Sequence, residues 1–429
     1  MKQAAPAHTA LDGLLATALA VVVYLSRSLQ PSPLYFVDGP RIVIAIQRGV
    51  FVVQSPGYWL FAHLGALFAN PAAGLLFWNH LFSALGVAVF YLLCRRRGLP
   101  LALSLLAALT FASIFFVWFA GEIHSAYASQ LLFPVATLYC FARLREHNRI
   151  GWLVAAAVCA ALGTALRPSD GIFLLPLYAL LLFQSVQPTP RERLRACAVF
   201  TATFLALTAA WYIPTHHALV GDHRRSGLQQ LQYSMAGLSP LLVGITLRST
   251  LNVIRVLLPL LVAFTPLSPA LFTRCSHDDN RVLIAWIAPG LLFFALVYMA
   301  DPTYLTYVAA AFVLAAALAH NRRRATLCLA LCLLGNATFF LLARPIPSPR
   351  MPAQVFNLLA IKYTRYGISH SWQQTLGEAT RPTLPPGAYT DNNSNAKTLT
   401  PRTGQVPHPH TWVPHPHTLS APSSLRSLR

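Results

Sequence analysis

Ala72-Ala-Gly-Leu-Leu-Phe-Trp-Asn-His-Leu-Phe-Ser-Ala-Leu-Gly-Val-Ala-Val-Phe-Tyr-Leu-Leu-Cys94 contains no Asp, Glu, Lys or Arg, and Arg95-Arg96-Arg97 follows it directly. At 1.5 Å per residue such a helix is long enough to cross the ~30 Å hydrocarbon core of a bilayer. Three consecutive arginines resist burial in that core, so they mark its aqueous edge. The bias of basic loops makes that edge the cytoplasmic one. This stretch predicts both a membrane span and its direction.

Working outward, similar apolar segments lie near 10–29, 99–119, 126–143, 151–166, 171–185, 194–213, 256–273, 282–300, 303–319 and 324–343. The first has Lys2 as its flanking positive charge and is followed by further spans, so it reads as an uncleaved anchor rather than a signal peptide. The expected fold class is an all-α polytopic membrane protein with about 11 transmembrane helices. Its first outer loop is long and contains interfacial helices.

Composition agrees. Of 429 residues 55% are hydrophobic and 10% charged, with a mean hydropathy of +0.53. Soluble domains carry about 25% charged residues, which excludes a soluble enzyme. The net charge of +20 comes from 32 Lys+Arg against 12 Asp+Glu. No basic run is long enough to form a nucleic-acid face, so the excess reads as basic loops and as candidate phosphate ligands. Of the seven cysteines only Cys328 and Cys332 are closely spaced, and they fall inside an apolar segment, so no disulfide framework is implied.

Basic residues cluster at 95–97, 143–149, 191–195, 274–281 and 322–324. These fall on alternate loops, which are therefore expected to face the cytoplasm. The opposite loops, 30–71, 120–125, 167–170, 214–255 and 301–302, hold Asp38, Glu122, Asp170, Asp222 and Asp301. An ionisable group at the mouth of a span is a functional candidate by default. In the first long loop, Arg41, Gln47, Arg48 and Gln54 are six and seven residues apart, as on one face of a helix lying in the membrane surface. Tyr58 to Phe68 then returns along or into the membrane. The loop 214–255 ends in a semi-apolar helix with Arg248 and Arg255 on one face.

Two domains follow: a transmembrane domain over 1–343, and a short outer-side segment over 344–429 rich in Pro, His and Ser. Val406-Pro-His-Pro-His-Thr411 recurs at 413–418, which suits low complexity as well as metal binding.

Four stretches resemble one enzyme family. Gln54-Ser-Pro-Gly-Tyr-Trp-Leu-Phe61 is similar to the x-Pro-Pro-Gly-Tyr segment of GT-C glycosyltransferases, closest to bacterial relatives of protein O-mannosyltransferases. Asn79-His-Leu-Phe-Ser-Ala-Leu85 through Tyr91-Leu-Leu-Cys-Arg-Arg-Arg-Gly98 resembles the family's second span. Gly121-Glu-Ile-His-Ser-Ala-Tyr127 looks like its second acidic outer loop, and Ala165-Leu-Arg-Pro-Ser-Asp-Gly171 with Phe173-Leu-Leu-Pro176 like its next outer turn. Many such enzymes have an acidic pair in the first loop, where this chain has Asp38-Gly39.

The resemblance implies transfer of a sugar from a polyprenyl-phosphate-linked donor to an acceptor on the outer, periplasmic face of the inner membrane. Such chemistry needs a carboxylate to take the acceptor's proton and cations for the departing phosphate. Asp38 and Glu122 are the expected catalytic pair. Arg41, Arg48, Tyr58, His124, Arg167, Asp170, Arg248, Arg255, Asp301 and Tyr304 are the expected substrate-binding residues. Other readings stand beside these. Asp38 and Asp170 also suit helix caps, Arg167 suits snorkelling, and Tyr304 with Tyr307 suits an aromatic belt. No cofactor is expected, and nothing in the sequence supports a divalent metal. The acceptor, whether protein, lipid or glycan, is open. A transporter or flippase would place charges at mid-membrane in repeated halves, and a divergent non-catalytic copy is the third reading.

Overall fold

The computed structural model describes residues 10–29, 38–47, 49, 58–185, 189–235, 256–271, 276–296 and 302–343, with the backbone alone at 38, 40, 41, 214–235, 295, 296 and 302. All lie in the first of the chain's two compact units, Met1–Trp372. The segment 344–429 falls outside the described residues. Among those described there are helices and no strands.

In chain order the helices are α1 (Ala10–Ser28), α2 (Asp38–Gln47), α3 (Trp59–Ala66), α4 (Pro71–Arg96), α5 (Leu101–Ser113), α6 (Phe115–Glu122) and α7 (Ser129–His147). They continue as α8 (Ile150–Leu166), α9 (Pro168–Ser185), α10 (Pro190–Met235), α11 (Val256–Leu271), α12 (His277–Leu296), α13 (Val308–Ala317) and α14 (Arg322–Leu342). Each expected apolar segment has its helix. By length and composition α1, α4, the Pro190–Ile213 part of α10, and α14 can each cross a membrane, and α5 with α6 would add a bent fifth.

α4 is the axis of the bundle. Asn70 caps it by accepting from Ala72 N at 3.1 Å, and Pro71 supplies the preset first turn. Gly98, at φ +75°, ends the run after the three arginines. α4 packs on α1, α5 and α7. At Gly86 it meets α7 so closely that a Cβ would lie 2.6 Å from Leu131 O. Gly86→Ala should therefore force the two helices apart, at a cost at or above the ~1–3 kcal/mol of an overpacked core. A thermal melt in detergent unchanged by this substitution would contradict that packing.

The basic loops lie together at one end, where they tie helices to each other. Asp12 accepts from Tyr91 Oη at 2.7 Å and Arg95 Nε at 2.8 Å. Arg96 pairs with Glu146 and Arg97 with Asp279, each at 2.9 Å. Arg145 donates to Gln184 O at 3.2 Å. The partly exposed pairs contribute roughly 0.2–1 kcal/mol each, whereas buried Asp12 depends on its partners. α1, α4, α7, α9 and α12 are thus joined at this end. The other ends of α1, α4, α7 and α9 carry a different set of polar residues.

Four expectations are corrected. The interfacial helix predicted over 41–54 ends at Gln47, and Gly49 turns the chain at φ +70°. Its Ile42, Val43, Ala45 and Ile46 are buried against Leu60, Phe61, Ala62 and Leu75, so protein packing holds this shorter helix in place. Glu122 does not sit in a six-residue loop: residues 115–122 are helical, and Glu122 ends α6. The supposed loop at 214 is helix as far as Met235, continuous with the span before it. Finally, Arg167 does not snorkel and Tyr307 does not belong to an aromatic belt, since both are buried in the bundle.

Candidate active site

The site is built at the end opposite the basic loops, where helix ends converge. Arg167 follows α8, and Pro168 starts α9 at once, so three residues later Asp170 occupies its first turn. Both residues are 3% exposed, and Arg167 Nε lies 3.5 Å from Asp170 Oδ1. Gln130, in the first turn of α7, donates to the same Oδ1 at 2.7 Å and to Tyr304 O at 3.3 Å. The guanidinium also sits over two rings, 4.5 Å from the centroid of Tyr127 and 4.8 Å from that of Tyr304. Such contacts stabilise a desolvated cation by ~2 kcal/mol. Tyr58, just before α3, interacts electrostatically with Arg167. Even so, Arg167 Nη1 and Gln130 Oε1 are buried without a protein partner. An unmet donor and an unmet acceptor in one cluster are costly unless something else engages them.

A second cluster surrounds Glu122, itself 3% exposed. Trp118 Nε1, one turn earlier, donates to Glu122 Oε1 at 2.5 Å. The guanidinium of Arg27 stacks 4.4 Å over the Trp118 ring and attracts the Glu122 carboxylate. Asn79 Nδ2 donates to Ile123 O and, at 2.8 Å, to Ser125 O, which fixes the turn carrying His124. His124 is buried.

The start of α2 lies on this turn. A Cβ at Gly39 would be 3.1 Å from His124 Cβ. So close an approach favours a residue without a side chain, and it brings the Asp38 backbone, one residue or ~3.8 Å of chain away, to the Glu122–His124 turn. The expected residues Glu122, His124, Arg167, Asp170, Tyr58 and Tyr304 thus gather at one end of the bundle. Asp38 and Arg41 are described in backbone alone, and Arg48, Arg248, Arg255 and Asp301 lie outside the described residues. Among the described residues, no three His, Cys, Asp or Glu side chains come together as a metal site requires.

Sequence reasoning missed Arg27, Asn79, Trp118 and Gln130. A signal for Arg27 existed: a lone arginine at the far end of the first span runs against the basic-loop bias. The others are neutral residues on apolar helices, and spacing alone does not distinguish them from packing.

Ionisable groups of a polytopic membrane protein are thus held at helix mouths on one side of the bundle. Residues 55–212 match the family model described as dolichyl-phosphate-mannose-protein mannosyltransferase. The fold is similar to that of ArnT from Cupriavidus metallidurans, solved bound to undecaprenyl phosphate, with a TM-score of 0.52 and 17% identity over 85% of this chain and 74% of that one. No curated protein matches the chain. The two matches bear out the resemblance read from the sequence: the chain has the fold of GT-C membrane glycosyltransferases, and its residues 55–212 match a mannosyltransferase family model.

Proposed function

We propose that the chain transfers a sugar from a polyprenyl-phosphate-linked donor to an acceptor hydroxyl, at the end of the bundle that carries Glu122 and Arg167. The observation that supports this most directly is the buried polar cluster itself: an arginine donor and an amide acceptor without protein partners, at helix mouths beside a buried carboxylate. Hydrocarbon cannot satisfy these groups, and sugar hydroxyls or a phosphate can. The undecaprenyl phosphate bound to ArnT supports the same class of donor here.

In this reading Asp38 takes the acceptor's proton as oxygen attacks the anomeric carbon. Glu122, held by Trp118, orients the acceptor. Arg167 binds the donor, and Arg41, Arg48, Arg248 and Arg255 supply further positive charge for the leaving phosphate. Asp170 holds Arg167 in place. His124, Tyr58, Tyr304 and Asp301 line the site. The polyprenyl chain stays in the bilayer.

The purified full chain, reconstituted in nanodiscs with polyprenyl-phosphate-linked hexoses and pentoses, should release polyprenyl phosphate and glycosylate an added acceptor. No release from any donor in the presence of protein, peptide, lipid and glycan acceptors would count against the proposal. Orientation is part of it, with the active end outside and the N-terminus inside. Single cysteines placed at 214–237 should react with an impermeant reagent added to whole cells, and those at 95–97 should not. The reverse pattern would put the cluster on the cytoplasmic side and end this reading.

A further inference from the structure

Glu122 stands at the end of an eight-residue helix, and the chain bends by 63° between that helix and α5. Such a break inside a bilayer frees backbone groups that no water can meet, at several kcal/mol each. Two side chains distant in sequence reach the break instead. Arg27 Nη2 donates to Ala112 O at 2.8 Å, and Asn336 Oδ1 accepts from Phe115 N at 3.3 Å. Asn336 Nδ2 donates in turn to Ala263 O at 2.9 Å, just before the turn Thr265–Leu267 in α11. One amide thereby serves two helix breaks.

The same two helices also hold Trp118. Phe340, one turn beyond Asn336 on α14, stacks on the Trp118 ring with centroids 4.6 Å apart and planes within 14°. The Arg27 guanidinium lies over that ring as well, and the indole N–H reaches Glu122. Arg27 also lies close against α6: a Cβ at Gly121 would be 3.2 Å from Arg27 Nε and 3.1 Å from Ser83 Oγ, tighter than most side-chain contacts. Arg27 and Asn336 are 1% and 3% exposed. A charge and an amide buried at membrane depth are expensive, and an unbroken α5–α6 helix flanked by leucines would avoid the cost. What the expense secures is the direction of α6, and with it the place of Glu122.

We infer that Arg27 and Asn336 are positioning residues for Glu122, setting the α5–α6 joint at the angle that presents this carboxylate to the acceptor. The inference rests on Glu122 belonging to the transfer site. Arg27→Lys keeps the charge but loses the fork that spans Ala112 O and Trp118. Asn336→Leu keeps the volume and loses the amide. In the nanodisc transfer assay each should raise the acceptor KM roughly 10- to 100-fold, as small misplacements of an orienting group do, with the donor KM within about twofold. In a Glu122→Gln background the same substitutions should cost less than about threefold more, because the aimed group is already gone. Equal losses in both backgrounds, or no loss in either, would overturn the inference.

A second readout does not need activity. Glu122→Cys should react with an impermeant methanethiosulfonate reagent at a rate that changes at least about fivefold when Asn336→Leu is added, with wild-type labelling subtracted. An unchanged rate would show that the joint does not aim position 122. A wild-type acceptor KM together with wild-type turnover in Glu122→Gln would sink the transfer-site reading instead, and the labelling result separates that failure from a failure of the joint.

Discussion

Asp38→Asn is expected to lower turnover at least ~100-fold while leaving the protein folded, because the amide keeps the shape and any capping role of the carboxylate but cannot take a proton. The expectation combines the family resemblance with one geometric fact: Gly39 rests against His124, so the start of α2 is held beside the Glu122 turn. Glu122→Gln should act less severely. It keeps an acceptor oxygen for Trp118 Nε1 and mostly weakens acceptor binding. Steady-state kinetics with varied acceptor would separate the two, as a kcat effect for Asp38 and a KM effect for Glu122. Near-normal turnover in Asp38→Asn would reduce Asp38 to a cap and move the base to Glu122 or Asp170.

The second large effect is expected at Arg167 and Asp170. Removing one member of a buried ion pair strands the other, at about 3–5 kcal/mol, whereas replacing both with apolar residues of similar volume is often neutral. Asp170→Leu alone should therefore sharply reduce the yield of folded protein, since it leaves Arg167 with two tyrosine rings and, among the described residues, no counter-charge. Arg167→Met with Asp170→Leu should restore the yield but not donor binding. Thermal stability in detergent and undecaprenyl phosphate affinity, measured on the same samples, distinguish these outcomes. If Asp170→Leu were as stable as the wild type, the pair would not be bearing the burial cost assigned to it.

These expectations show how unevenly the molecule can be read from its sequence. The spans were readable because bilayer thickness imposes a length on apolar segments, and the basic clusters were readable because charge avoids hydrocarbon. Both constraints act along the chain, so 72–94 followed by Arg95–Arg97 carried its meaning locally. The grouping of Glu122, His124, Arg167 and Asp170 followed from which loops share a side. What did not follow was how the residues pair. Whether Arg167 snorkels or turns inward depends on Tyr127 and Tyr304, the latter more than a hundred residues away. The bend before α6 carries no proline or glycine. It depends on Ile114 leaving the helix where Arg27 and Asn336 can meet the freed groups, and those are contacts between distant segments. The helical course of 214–235 was missed for the opposite reason: its charges looked like those of a loop, but a helix leaving a membrane can carry charge on every side.

The most direct test of the central claim is a structure of the full chain with undecaprenyl phosphate bound. The phosphate should lie at the end of the bundle carrying Glu122, Arg167 and Asp170, within hydrogen-bond distance of at least one arginine on that side, with the polyprenyl chain leaving laterally into the bilayer. A phosphate seated instead among Arg95, Arg96 and Arg97, with the Arg167 cluster unchanged and closed, would contradict the account.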